Sequence, residues 1–107
     1  SATTPVAENR DLSGIIIDFE HAYELSWKCL KALLQHLGHV TESARDTFKK
    51  AFQVKIIDDE PCWLGMIEDR NMTVHTYDPK KALEMVERIR SNYLPAFQKL
   101  ASTLNTQ

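Results

Sequence analysis

Apolar residues recur along this chain at intervals of three and four rather than two, and no alternating β-branched run is sustained, so the pattern reads as helical throughout. The longest stretch runs from about Ser13 to Leu37. Phe19, Tyr23, Leu30, Leu33 and Leu37, with Ser26 filling the remaining step, give the 4-3-4-3-4 spacing of a bundle seam. Ile16, Trp27 and Leu34 widen that stripe, so this helix needs more than one neighbour. Gly38 is the residue type expected just past its C-terminus.

A second, shorter helix is predicted from Ser43, where Ser-Ala-Arg-Asp fits a capping box, through Phe48 and Phe52 to about Val54. Residues 56–60 turn the chain. Pro61 then falls in the first turn of a third helix, where its missing N–H costs little and Asp58, Asp59 and Glu60 face the positive end of the dipole. A fourth helix follows the capping pair Asp78-Pro79 and carries Leu83, Val86, Ile89, Tyr93, Phe97, Leu100 and Leu104, with Pro95 expected to kink or break it. Residues 1–12 read as a polar lead-in, and residues 13–107 as a single all-α domain, an antiparallel up-and-down bundle of the four-helix type.

The third helix breaks its own pattern. Its seam is Trp63, Ile67, position 70, Val74 and position 77, yet position 70 is Arg and position 77 is Tyr. Seven residues apart, these two lie within ~20° of one another on an ideal helix. Asn71 and His75, four apart, share the adjacent face. Arg70, Asn71, His75 and Tyr77 therefore gather over the last two turns, next to the Asp78-Pro79 break. A guanidinium cannot shed its proton, so burying it unpaired is costly.

Composition narrows what such a cluster can do. At 107 residues, 43% hydrophobic and 26% charged, the chain is one globular domain. A formal net charge of -2 argues against a general nucleic-acid binder and against a DNA partner, so any RNA contact must rest on a local patch. Arg45, Lys49 and Lys50 on the second helix, and Lys80 and Lys81 beside the motif, are the basic residues available, although a solvated charged face accounts for them as well. Cys29 and Cys62 form no C-x-x-C and no zinc-like cluster, and His21, His36 and His39 have no ligand set around them, so neither metal nor cofactor is implied. No apolar run approaches a bilayer span and the first residues lack the regions of a signal peptide, which makes the cytoplasm the expected location.

Histidine can move a proton near neutral pH, arginine can stabilise a phosphate or its pentavalent transition state, and asparagine can orient either by hydrogen bonding. Such a set suits phosphodiester chemistry without a metal, because RNA supplies its own nucleophile, the 2′-hydroxyl. Spacing alone favours a plainer reading, with the arginine tied to an acid and the histidine at a helix end.

The segment RNMTVHTY resembles the R-x-x-x-x-H-x-Y signature of the HEPN superfamily, as found in HepT toxins and nucleotidyltransferase substrate-binding proteins. FEHAYELSWKCLKALLQHLG is similar to the family's first signature helix, SARDTFKKAF to its second, WLGMIEDRNMTVHTYD to its motif helix, and NYLPAFQKL is typical of its end. The likeness covers about residues 13–104; the family's members usually have a further amphipathic helix ahead of the FEHAYELSWK helix, where about a dozen polar residues stand in this sequence. The resemblance implies a homodimer in which Arg and His from both motif helices build one composite cleft. It further implies a metal-independent ribonuclease toxin whose antitoxin partner is a minimal nucleotidyltransferase of the MNT type.

On that resemblance Arg70 binds or stabilises the scissile phosphate, His75 is the general acid or base, and Asn71 supports them. Tyr77 matches the tyrosine that the partner modifies with AMP. The competing function is a non-catalytic module that docks on the nucleotidyltransferase and presents Tyr77 to it.

Overall fold

The computed structural model describes the backbone of residues 5–106 and the side chains of residues 11–106. In chain order it contains α1 (Pro5–His36), α2 (Ala44–Gln53), α3 (Glu60–Met72), a 3-10 turn (Thr73–His75), α4 (Pro79–Arg88), a π-helical segment (Ile89–Tyr93) and α5 (Leu94–Asn105). No strand occurs among the described residues. The 32 residues of α1, at about 1.5 Å each, span about 48 Å and set the 51 Å long dimension of the molecule. Against this rod pack α2, α4, α5 and part of α3.

The helix expected from about Ser13 begins at Pro5, so the expected polar lead-in is helical over residues 5–12, and residues 1–4 lie outside the described ones. Proline at the first helical position loses no hydrogen bond, and adding turns to an existing helix avoids the nucleation cost. At the other end, Gly38 (φ 93°) sits where a left-handed residue is needed: its N–H donates to Gln35 O at 3.0 Å and that of His39 to Leu34 O at 2.8 Å. This is the paired closure of a Schellman motif.

Along α1 the buried residues are Ile16, Phe19, Tyr23, Leu30 and Leu34, whereas Leu33 is only partly buried and Leu37 is exposed. A strict seven-residue repeat drifts by about 20° per heptad on a straight helix, so Leu34 takes the place that the seam assigns to Leu33 and Leu37. Five aromatic rings from four helices close a circuit through the core: Phe19 to Tyr23 (6.2 Å between centroids), Tyr23 to Phe48 (6.0 Å), Phe48 to Trp63 (5.1 Å), Trp63 to Phe97 (5.7 Å) and back to Phe19 (6.2 Å). Tyr93 stacks on Phe19 at 5.4 Å. Trp63 is therefore a core residue, and Trp27 is half-buried with its indole N–H donating to Glu24 at 3.2 Å.

Local capping follows from residue type. Ser43 Oγ accepts from the Asp46 N–H at 3.0 Å, and Asp46 reaches back to the N–H of Glu42 at 3.1 Å, one residue before the usual capping-box partner. Asp59 and Asp78 cap α3 and α4 by accepting from the N–H groups of Cys62 and Lys80. The loop before α2 is tied inward by the buried hydroxyls of Thr41 and Thr47, which share a 2.8 Å hydrogen bond.

Pro95 interrupts the expected fourth helix, as its missing N–H requires, without ending the helical course of the chain. Ahead of it the chain widens into the π-helical segment, in which the Leu94 N–H reaches Ile89 O, and Pro95 falls in the first turn of α5. The extra residue absorbs the missing donor while helix continues on both sides. On α4 the inward positions are Ala82, Met85 and Val86, and Leu83, expected on the stripe, is exposed.

Candidate functional site

α3 positions the first half of the motif. Its buried residues are Trp63, Met66 and Asp69, so the seam read as Trp63, Ile67, Arg70, Val74 and Tyr77 turns away from the core after Ile67. Two physical causes act together. α3 ends at Met72, and the tighter 3-10 turn that follows changes the direction of each later side chain, leaving Val74 69% and Tyr77 84% exposed. In addition, the core position is taken by an acid with partners rather than by the arginine.

That acid is Asp69, only 5% exposed. Arg88 at the end of α4 grips it with both prongs, Nε to Oδ2 at 2.8 Å and Nη2 to Oδ1 at 2.7 Å, and the Tyr93 hydroxyl donates to Oδ2 at 2.5 Å. The bidentate bond holds the Arg88 proton more firmly than usual, and burial together with the Asp69 bond pushes the Tyr93 phenol well above its ordinary range. Gly65, one turn before Asp69, leaves the space that Tyr93 occupies. Nothing in a linear pattern marks this trio, since its members stand 19 and 24 residues apart.

Arg70 is half-buried and takes part in none of the ion pairs among the described residues. Burial and the Glu24 carboxylate raise the Tyr23 phenol on α1, and the charges of Arg70 and Arg45 pull it partly back, so both guanidiniums stand within electrostatic reach of that ring. Arg45 is itself paired with Glu68 at 3.2 Å on the exposed surface. Lys49, Lys80 and Lys81 are exposed and Lys50 half-buried.

Asn71 is exposed in the last turn of α3, His75 ends the 3-10 turn and is exposed, and Tyr77 lies in the turn before α4. Thus only Arg70 and Asn71 share the helix, and His75 and Tyr77 belong to the connection after it. Two threonines hold that connection. Thr73 Oγ1 donates to the Arg70 carbonyl at 2.9 Å and, with the same proton, to Glu20 Oε2 on α1 at 3.3 Å. Thr76 Oγ1 donates to Thr73 O at 2.7 Å, and the Asp78 N–H donates to His75 O at 3.2 Å. The threonines flanking Val74-His75 were the available sequence signal, since hydroxyls near a helix end bond back to its carbonyls.

A groove of about 900 Å³ lies elsewhere, between the α2–α3 connection and the π segment with α5. Ile57, Cys62, Gly65, Asn92, Tyr93 and Lys99 are among its walls, and none of the four motif residues is. Among the described residues no group of His, Cys, Asp and Glu side chains could hold a metal ion, and no helix is long and apolar enough to cross a membrane.

Comparison with known proteins meets this geometry from the other side. The profile of the family described as "Nucleotidyltransferase substrate binding protein like" matches residues 4–106. A curated relative from Haemophilus influenzae, named "Probable ribonuclease HepT", is 32% identical over 89 residues that cover 78% of this chain. The match spans 61% of that relative's own length. Matched over nearly its whole length, the chain belongs to the nucleotidyltransferase substrate binding protein like family, the HepT-type group that its motifs resemble.

Proposed function

We propose that this chain is a HepT-like toxin of a toxin–antitoxin pair: a metal-independent endoribonuclease that is silenced when an MNT-type minimal nucleotidyltransferase transfers AMP to Tyr77. The observation that carries the reading is Arg70, a half-buried guanidinium outside every ion pair among the described residues, followed by exposed Asn71 and, at the end of the 3-10 turn, exposed His75. An arginine left without an acid is a site for an anion, and a phosphodiester is the anion that a nearby imidazole could act on. The name of the Haemophilus relative points the same way.

In the reaction, the 2′-hydroxyl of the substrate attacks the adjacent phosphorus. His75 accepts the proton from that hydroxyl or gives one to the departing 5′-oxygen, Arg70 stabilises the charge on the pentavalent phosphorus, and Asn71 orients the phosphate or the imidazole. The site is completed in a homodimer of antiparallel four-helix-type bundles, with the motif helices of two copies facing one another. The exposed apolar side chains of Met72 and Val74 around the motif support a partner surface there. AMP on Tyr77 adds bulk and a negative charge beside Arg70 and His75, which blocks the phosphate position.

A second reading has its own support. Tyr77 is 84% exposed at a turn, accessible to a modifying enzyme, and the net charge of -2 offers RNA little general attraction. On this reading the chain docks on the nucleotidyltransferase and presents Tyr77 without cutting RNA. Incubating the parent and its His75→Ala variant with end-labelled total RNA in excess chelator separates the two. Cleavage by the parent alone supports the ribonuclease and puts His75 in it; no cleavage by either, with Tyr77 unmodified by mass, moves the conclusion to the docking module.

A further inference from the structure

The carboxylate of Asp69, next in sequence to Arg70, is pinned from two directions by Arg88 and Tyr93. On an ideal α-helix, residues five apart point about 140° away from each other. Arg88 and Tyr93 nevertheless meet on one carboxylate, because the stretch between them is π-helical and an i to i+5 turn returns the second side chain to the face of the first. The π segment that accommodates Pro95 is thus also what lets both donors reach α3. Gly65 completes the arrangement by leaving room for the phenol, since a Cβ there would stand 3.2 Å from Tyr93 Oη.

Consecutive residues on α3 are about 100° apart around its axis. With Asp69 held towards α4 and the π segment, Arg70 is turned towards α1, where Tyr23 lies and where Thr73, one turn on, meets Glu20. Without Arg88 or Tyr93 a buried carboxylate would lack a partner, and α3 could relieve that cost by rolling until Asp69 reached water, carrying Arg70 off the α1 face. We propose that Asp69, Arg88 and Tyr93 are positioning residues that fix the rotation of α3 and thereby aim Arg70 at its phosphate. This inference rests on the ribonuclease reading for the identity of the anion and on the geometry above for the orientation.

Removing Asp69 itself would risk unfolding, so the test uses Tyr93→Phe and Arg88→Lys, which keep ring and charge. Thr47→Val serves as a control that breaks a buried hydrogen bond outside the trio. The Arg70 Nε–H resonance, assigned by its loss in Arg70→Lys, reports the side-chain environment directly. Both variants should move that resonance and weaken binding of a 2′-O-methyl oligonucleotide, an RNA mimic whose nucleophile is blocked, by roughly 10- to 100-fold. The loss should vanish in an Arg70→Ala background, and Thr47→Val should lower the melting temperature without either effect. An unmoved Arg70 resonance in both variants, or a loss of binding that persists in the Arg70→Ala background, overturns the proposal. If the parent binds no oligonucleotide, the ribonuclease reading fails, and the resonance comparison still decides whether the trio aims Arg70.

Discussion

Gly65 and Tyr93 meet across the α3–π interface so closely that a Cβ on the glycine would stand 3.2 Å from the phenol oxygen, which is itself bonded to Asp69. A glycine inside a helix ordinarily costs about 1 kcal/mol relative to alanine, and here the close approach accounts for it. Gly65→Ala is therefore expected to destabilise by about 1 kcal/mol net, the overpacking cost of about 1–3 kcal/mol outweighing the propensity gain. Gly14 in α1 has nothing within 4 Å of the corresponding position, so Gly14→Ala should stabilise by about 0.5–1 kcal/mol. Urea unfolding of both variants checks the pair, and stabilisation by both would mean that the Tyr93 contact carries no weight.

Lys55 occupies the left-handed region at φ 68° just after α2, with its N–H donating to Phe52 O and that of Ile56 to Ala51 O. The bonding repeats the closure at Gly38, but with a side chain where glycine fits without strain. Lys55→Gly should raise stability by about 0.5–1 kcal/mol. Gly38→Ala should lower it by a similar amount, measured by thermal melting.

The two cysteines should behave differently. Burial, with a smaller push from the Asp59 carboxylate, raises the Cys62 thiol to about 11, and its Sγ–H donates to Asn92 O at 3.5 Å. Cys29 is exposed. At pH 8 iodoacetamide should modify Cys29 quickly and Cys62 only after denaturation, as read by intact mass.

The same thiol carries a pH dependence of stability. The folded state holds the Cys62 proton beyond the ordinary thiol value of about 8.5, so this contribution is fully present below that pH and is lost as pH rises through about 11. The loss of stability between those two values should be smaller in Cys62→Ala than in the parent. Equal slopes would show that the thiol does not titrate in that window.

At the proposed site, Arg70→Lys preserves charge but not the planar fork. RNA cleavage should fall by about 100- to 1,000-fold, with the melting temperature within a few degrees of the parent because Arg70 is outside the ion pairs among the described residues. A variant with full cleavage would remove Arg70 from the chemistry.

Much of this fold was legible before any coordinates, and the reason is locality. Helical class follows from spacing, and the ends of α1, α2 and α4 follow from Gly38, Ser43 and Asp78-Pro79, residues that satisfy backbone groups within a few positions of themselves. The R-x-x-x-x-H-x-Y motif was likewise visible as a run of neighbours, and its likeness led to the right family. What spacing could not decide was which of two adjacent residues, Asp69 or Arg70, faces inward. That choice depends on Arg88 and Tyr93, 19 and 24 residues away, and on a π-helical turn that brings both to one carboxylate. A buried charge takes its place from its partners, and partners across a fold are chosen by packing, which the sequence alone determined only as far as the apolar faces that must meet.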